Sequence, residues 1–505
     1  MLRKLLLAVV LLLLVVAGAV YFFADRMLAS DLVRRQIEQQ LATRLGQPVH
    51  IKTIAASIFP SVSVHLQDVA IGEPPTVRLG DVQLVTGLRG LLSRTIIDGQ
   101  VIVSNGRVML PLPFAPGAGA SSSATAASGF TIVSIRTITF RNLDVAAGPQ
   151  TVHVDLDASV DGDRLAISRL LVRGKTTGIE ASGTLTSIAR LQGTLDAQAR
   201  SLDLDEVLAI ASAFTAAGPQ APSPAPAKAG DVVPIHIVAR IAAASGQFAS
   251  YAFRDLSSTI DLVPGRVVLS PLSVGAFDGT FRGTLEVDST RRMPRLQLKG
   301  RLDGVAVPAL LKAGGSAEGM TGTLGGTVAL TADGSDAASI TNNAHGTMAA
   351  VIADGEIQHL DMVRTVVLAF GKPSGASHEG SGSRFSRLGG TFTLANATVS
   401  SNDVALASPD FDMSGEVTLR LGSGAISGRA EVALSEELTA QSGTDLRRYA
   451  QQDGRVVVPV TVSGTLSKPV AFVDVAAAAK RAFANEVQRR AKDFLGGLFK
   501  KKGGG

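Results

Sequence analysis

A chain of 505 residues is long enough for two or three ordinary domains, yet it holds 53 Gly, no Trp, no Cys and only 4% aromatic residues. Disulfides and thiolate metal sites are excluded, and the apolar material is small and aliphatic rather than the bulky kind that anchors compact cores. The formal net charge of +5 is local, because eight basic residues stand against two acidic ones between Lys480 and Lys502, leaving a nearly neutral body without the distributed basic face that nucleic-acid binding needs.

Arg3 and Lys4 precede an uncharged stretch from Leu5 to Phe23, which as a helix covers about 28 Å of a bilayer core of about 30 Å. This predicts a transmembrane anchor over 1–27. Ala17-Gly18-Ala19 also resembles a signal-peptide cleavage site, but the apolar run continues through Val20, Tyr21, Phe22 and Phe23, with aromatics at the expected interface. The leading positive charges put the N-terminus in the cytoplasm and the bulk of the chain on the far side. Leu28, Leu32, Val33, Ile37, Leu41 and Leu45 then recur at helical spacing, with Ser30 as N-cap and Gly46 as stop, which predicts an amphipathic helix.

From Val49 the period changes to two. Val62, Val64 and Leu66 alternate with Ser63, His65 and Gln67, and the run Val101 to Leu110 predicts a hairpin turning at Asn105-Gly106. Ala115 to Gly129 and Thr215 to Gly230 are low-complexity stretches expected to be flexible linkers. Between them Val152, Val154 and Leu156 alternate with His153, Asp155 and Asp157, and Leu204 to Phe214 is helical. Beyond the second linker, Pro264-Gly265 turns a hairpin, and short helices are expected at Val307 to Lys312 and Asp361 to Phe370. The clearest hairpin is Met413 to Leu434: Met413, Gly415, Val417, Leu419 and Leu421 face one side, and Ile426, Gly428, Ala430, Val432 and Leu434 return on it after Gly422-Ser423-Gly424. Gly-Thr-Leu recurs at Gly183, Gly193, Gly283, Gly322 and Gly464, with variants at Gly279, Gly326, Gly346 and Gly390, suggesting bends or bulges in repeated strands.

The expected fold is therefore mainly β: the anchor, then an elongated, curved antiparallel sheet with few short helices and a basic amphipathic C-terminal helix. The predicted segments are the anchor at 1–27, helix and strands at 28–114, a linker at 115–129, a β-rich segment at 130–214, a linker at 215–230, a β-rich region at 231–475 and the helix and tail at 476–505. An apolar sheet face must be covered. Either the sheet folds on itself as a sandwich, or it forms a trough whose inner face contacts lipid.

Several blocks resemble the AsmA-like family of bacterial envelope proteins: Val49-His50-Ile51, Phe59 to Val64, Leu66 to Val69, Pro271 to Gly283, Leu302 to Leu311, Arg384 to Phe392, Asn402-Asp403-Val404, Val458-Pro459-Val460 and Leu466 to Pro469. The resemblance covers most of the chain outside the two linkers. It implies a single-pass inner-membrane protein with a periplasmic body, a part in outer-membrane biogenesis, and carriage of phospholipid along a β groove. It also implies partners in the inner membrane, phospholipid and envelope assembly proteins.

No catalytic, cofactor or metal constellation is expected. His378-Glu379 lacks the second His of a zinc-protease motif, since Gly382 occupies that position; His359 and Asp361 fit an exposed strand end. Asp155, Asp157, Asp161 and Asp163 lack calcium-loop spacing, and Gly322 to Gly326 lacks the Lys of a phosphate loop. The C-terminal helix places Phe483, Val487, Phe494, Leu495, Leu498 and Phe499 beside Arg489, Arg490 and Lys500, which suits an anionic membrane surface or a cap on the sheet. The expectation is a non-enzymatic envelope protein that holds acyl chains against Val417, Leu419, Leu421, Ile426 and Val432; the alternative is a scaffold with a closed β sandwich that binds an assembly factor. An outer-membrane barrel lacks its aromatic girdle here, and a carbohydrate binder its stacking aromatics.

Overall fold

The computed structural model describes residues 31–57, 62–86, 95–96, 98–112, 131–132, 135–188, 190–216, 235–249, 251–313, 319–334, 337–358, 360–369 and 382–500. The expected anchor, the cap Ser30, His359 and His378-Glu379 lie outside them, as do the low-complexity stretches apart from 215–216. Among the described residues no helix is long and apolar enough to cross a membrane. The chain divides into two units, 1–267 and 268–505.

The first unit contains α1 (Asp31–Leu45), β1 (Val49–Ser57), β2 (Val62–Ile71), β3 (Val77–Thr86), β4 (Thr95–Ile96), β5 (Gly99–Leu110), β6 (Thr131–Ile132), β7 (Ile135–Ala147), β8 (Gln150–Asp161), β9 (Arg164–Arg173), β10 (Gly178–Ser187), β11 (Gln192–Asp203), α2 (Leu204–Ala216), β12 (His236–Phe248) and β13 (Tyr251–Val263). Apart from the small β4–β6 ribbon, each strand of its sheet pairs with the next in chain order. The sheet is not antiparallel throughout, as expected from the sequence: β5–β7 and β11–β12 are parallel. Parallel neighbours require the chain to travel back before pairing. The two low-complexity stretches fall in those two connections, so they join neighbouring strands.

Asn105-Gly106 also differs from expectation, because β5 runs straight through it and pairs on both sides. Asn105 adopts a left-handed backbone, φ 54°, as do Asp68 of β2 and Asn142 of β7, and the three lie level across the sheet, with Gly80 of β3 between the first two. Asn142 Nδ2 donates to Asn105 Oδ1 at 2.9 Å. Asn and Asp tolerate this conformation at low cost. One extra residue at each kink shifts the alternation: the buried positions of β5 are Val101 and Val103, then Gly106 and Val108, and those of β2 are Val64 and Leu66, then Val69 and Ile71. The apolar face is thereby kept on one side of a bent strand.

Leu41 and Leu45 of α1 close this core over β1, β2, β3, β5, β7, β8 and β9. The same helix seals the outer edge of β1: the Ile51 amide donates to Glu38 Oε1 at 2.7 Å, and Arg34 donates to the Lys52 carbonyl at 3.3 Å. These bonds occupy two backbone groups of an edge that would otherwise be open to pairing with another chain. On the opposite face the charges are paired across strands, Arg141 with Asp157 and Arg173 with Asp155, so the acidic run of β8 is bound to arginines.

At the far side of this unit α2 is tied down through Glu206. Its carboxylate accepts from the amides of Lys175, Thr176 and Thr177 and from the Thr176 hydroxyl. Burial alone would raise this carboxyl, but those hydrogen bonds outweigh it and hold it at about 2, below its ordinary 4.5. A depressed carboxylate stabilises the fold fully above about pH 4.5 and loses that contribution as the pH falls toward 2. Because Glu206 is partly open to solvent, screening reduces this contribution, and Glu206→Gln is therefore expected to lower stability at pH 7 by about 1 kcal/mol. Hydrogen exchange of the Lys175 to Thr177 amides should show faster opening in the variant, with the difference vanishing near pH 2.

The second unit contains most of β14 (Arg266–Ala276), β15 (Gly279–Asp288), β16 (Arg295–Ala306), α3 (Val307–Ala313), β17 (Thr323–Asp333), α4 (Ala337–Asn343), β18 (His345–Gln358), α5 (Met362–Ala369), β19 (Gly382–Ala395), β20 (Thr398–Ala407), β21 (Phe411–Arg420), β22 (Ile426–Leu434), α6 (Glu436–Gln441), α7 (Thr444–Ala450), β23 (Gln451–Gln452), β24 (Arg455–Thr465), β25 (Lys468–Val473) and α8 (Val475–Lys500). From β15 to β22, and on through β24 to β25, neighbours are antiparallel. Among the described residues no pairing joins β15 to β25, so this sheet is open. Its register confirms the hairpin read from Met413 to Leu434, with Met413 opposite Val432 and Leu419 opposite Ile426.

Candidate functional site

One face of the second unit carries apolar side chains in straight rows across the strands, and the rows differ in how they are covered. Leu324, Ile352, Leu388, Leu406, Met413, Val432 and Val458 are successive cross-strand neighbours from β17 to β24. This row is roofed: Met362 and Val366 of α5, Leu438 of α6, and Leu446 and Ala450 of α7 pack into its cluster, and Val432 and Val458 have no exposed surface. The segment before β17 also reaches the β24–β25 turn, where a Cβ on Gly319 would stand 2.7 Å from the Leu466 carbonyl. Val328, Met348 and Phe392 form the next row, which Leu311 of α3 helps to cover.

The third row is different. Leu285, Leu298, Leu330, Gly346, Leu394, Val399, Leu419 and Ile426 are successive direct neighbours across eight strands, β15 to β22. Seven inter-strand steps make it about 34 Å long. Its side chains are half-buried, and among the described residues none belongs to a closed cluster. An aliphatic strip beside a roofed core, itself left open, can accept a long apolar group and exclude water from one side of it.

The expected lining residues divide between these regions. Leu419 and Ile426 lie on the open row, Val417 lies one row inward opposite Gly428, and Leu421 stands beyond it with 45% of its surface exposed. Val432 is wholly buried beneath the helices, away from the open part. Leu285, Leu298, Leu330, Leu394 and Val399 were missed, although a signal existed in the repeats. In Gly283-Thr284-Leu285, Gly326 to Leu330 and Gly390 to Leu394, the Gly and the Leu share the apolar face while Thr faces the other way. Elsewhere the repeats interlock directly: Gly183 faces Leu195, Leu185 faces Gly193, and a Cβ on either glycine would meet the opposite strand's carbonyl at 2.2 Å. Here glycine is required by close approach.

At the C-terminus, α8 packs against α7 and β24, and Arg481 pairs with Glu431 on the sheet. Phe483 is 73% exposed and Val487 is also exposed, while Arg490 pairs with Glu486 one turn back. Arg489, Phe494 and Lys500 lie on the same helix, with side chains outside the described set. Asp361 caps α5, accepting from the Arg364 amide at 2.8 Å. Among the described residues no group of three or more His, Cys, Asp or Glu is arranged to hold a metal ion.

Residues 237–404 match the model of the AsmA family, so that stretch of the chain is similar to AsmA-family proteins. No curated protein and no solved structure matches the chain.

Proposed function

We propose that this protein is a non-enzymatic envelope protein, anchored in the inner membrane by residues 1–27, whose periplasmic body handles phospholipid during outer-membrane assembly. The observation that carries the reading is the open aliphatic row from Leu285 to Ile426 beside a roofed one. An acyl chain laid along it loses contact with water at a gain of about 0.8 kcal/mol per buried methylene. The headgroup stays in solvent, and direction comes from partners or a lipid gradient. The similarity of residues 237–404 to the AsmA family supports this, as does the fact that, among the described residues, no closed cluster covers that row. Native mass spectrometry of the detergent-extracted protein is expected to show retained phospholipid. Lipid-free protein that instead captures one protein partner stoichiometrically would favour the scaffold reading.

A further inference from the structure

The opposite face of the same strands carries a second ordered row. Thr347, Thr393, Ser400, Thr418 and Ser427 are successive direct neighbours across β18 to β22. At about 4.8 Å per strand the five hydroxyls span about 19 Å. Among the described residues none of the five has a protein hydrogen-bond partner. Thr393, Ser400, Thr418 and Ser427 form the floor of a depression of about 710 Å³, within the range of about 300–1,000 Å³ usual for ligand sites.

The rest of the depression narrows the chemistry. Its cation, Arg429, faces Glu416 at 3.9 Å, so the floor is electrically balanced and offers no surplus charge to a phosphate. Eight of its fourteen lining residues are Ser or Thr and only Val417 and Val462 are branched aliphatics, a lining suited to hydrogen-bonding rather than to an acyl chain. Beside the depression, Phe472 of β25 stands opposite its lining residue Thr461 on this polar face, with 60% of its surface exposed. A large aromatic on a hydroxylated face lacks a packing reason, yet its ring can cover the C–H side of a sugar while hydroxyls exchange hydrogen bonds with the edges. The scarcity of aromatics in the composition argued against sugar binding; the fold places one of the few where it counts.

We propose that this face binds a neutral glycan laid across the strands, one sugar ring over each hydroxyl position, with Phe472 beside its β25 end covering one ring. The site is independent of the acyl-binding row, which lies on the other side of the sheet. Full-length protein in detergent micelles would be titrated with chitotetraose and cellotetraose by calorimetry. Saturable binding of at least one is expected. Thr418→Val with Ser427→Ala, near-isosteric changes whose folding circular dichroism checks, should weaken it about tenfold, as two lost hydrogen bonds would. Phe472→Ala should weaken it too, and Leu419→Asp should leave it unchanged. Failure to bind either sugar, or equal binding by all variants, would overturn the proposal.

Discussion

Val432→Asp is expected to unfold the second unit. Val432 has no exposed surface, lies between Met413 and Val458 in the sheet, and belongs to the cluster roofed by α5, α6 and α7. Both of its direct cross-strand neighbours, Met413 and Val458, are apolar. A carboxylate there is either desolvated without a partner or protonated at a cost, and such changes remove several kcal/mol from a fold worth only about 5–15 kcal/mol. Limited proteolysis within 268–505 and loss of the β signal in circular dichroism would report the collapse. Retention of a protease-resistant second unit would mean that water reaches this row.

Leu298→Asp combined with Leu419→Asp should have the contrary outcome, a folded protein that no longer holds lipid. Both residues lie on the open row, five strand steps and about 24 Å apart. A carboxylate at a half-buried position keeps much of its hydration, so the fold loses little. An acyl chain crossing both positions would lose apolar cover over some three or four methylenes, about 3 kcal/mol or roughly 100-fold in retention. Native mass spectra should show the variant stripped of phospholipid, with unchanged circular dichroism. A variant that keeps its lipid would place the acyl chain elsewhere.

The pair of substitutions also marks what was legible in the sequence. Alternation gave the face of each strand of the Met413 to Leu434 hairpin, and the pairing in the structure keeps those faces together. What alternation cannot give is depth along a strand: Leu419 and Val432 share a face and differ only in whether α5 to α7 lie above them. That depends on helices far away in the chain, so Val432 read like its neighbours. The kinks at Asp68, Asn105 and Asn142 hid for a different reason. A period of two broken by one residue looks like the end of a strand, and Asn-Gly is the strongest short hairpin signal, whereas pairing on both flanks keeps the strand going. The parallel pairs were invisible because low-complexity chain says nothing about where it returns.

The seal that α1 places on β1 has a consequence for how the protein comes into being. With Glu38 and Arg34 bonded to that edge, the first sheet grows from its other side, where each later strand is supplied next in line by the chain itself. Loop-closure entropy stays small for each addition except at the two crossovers, which are the slow steps of such an order. The protein can therefore fold in the direction it is synthesised, each strand docking on a finished template as it emerges, with no wait for the C-terminus.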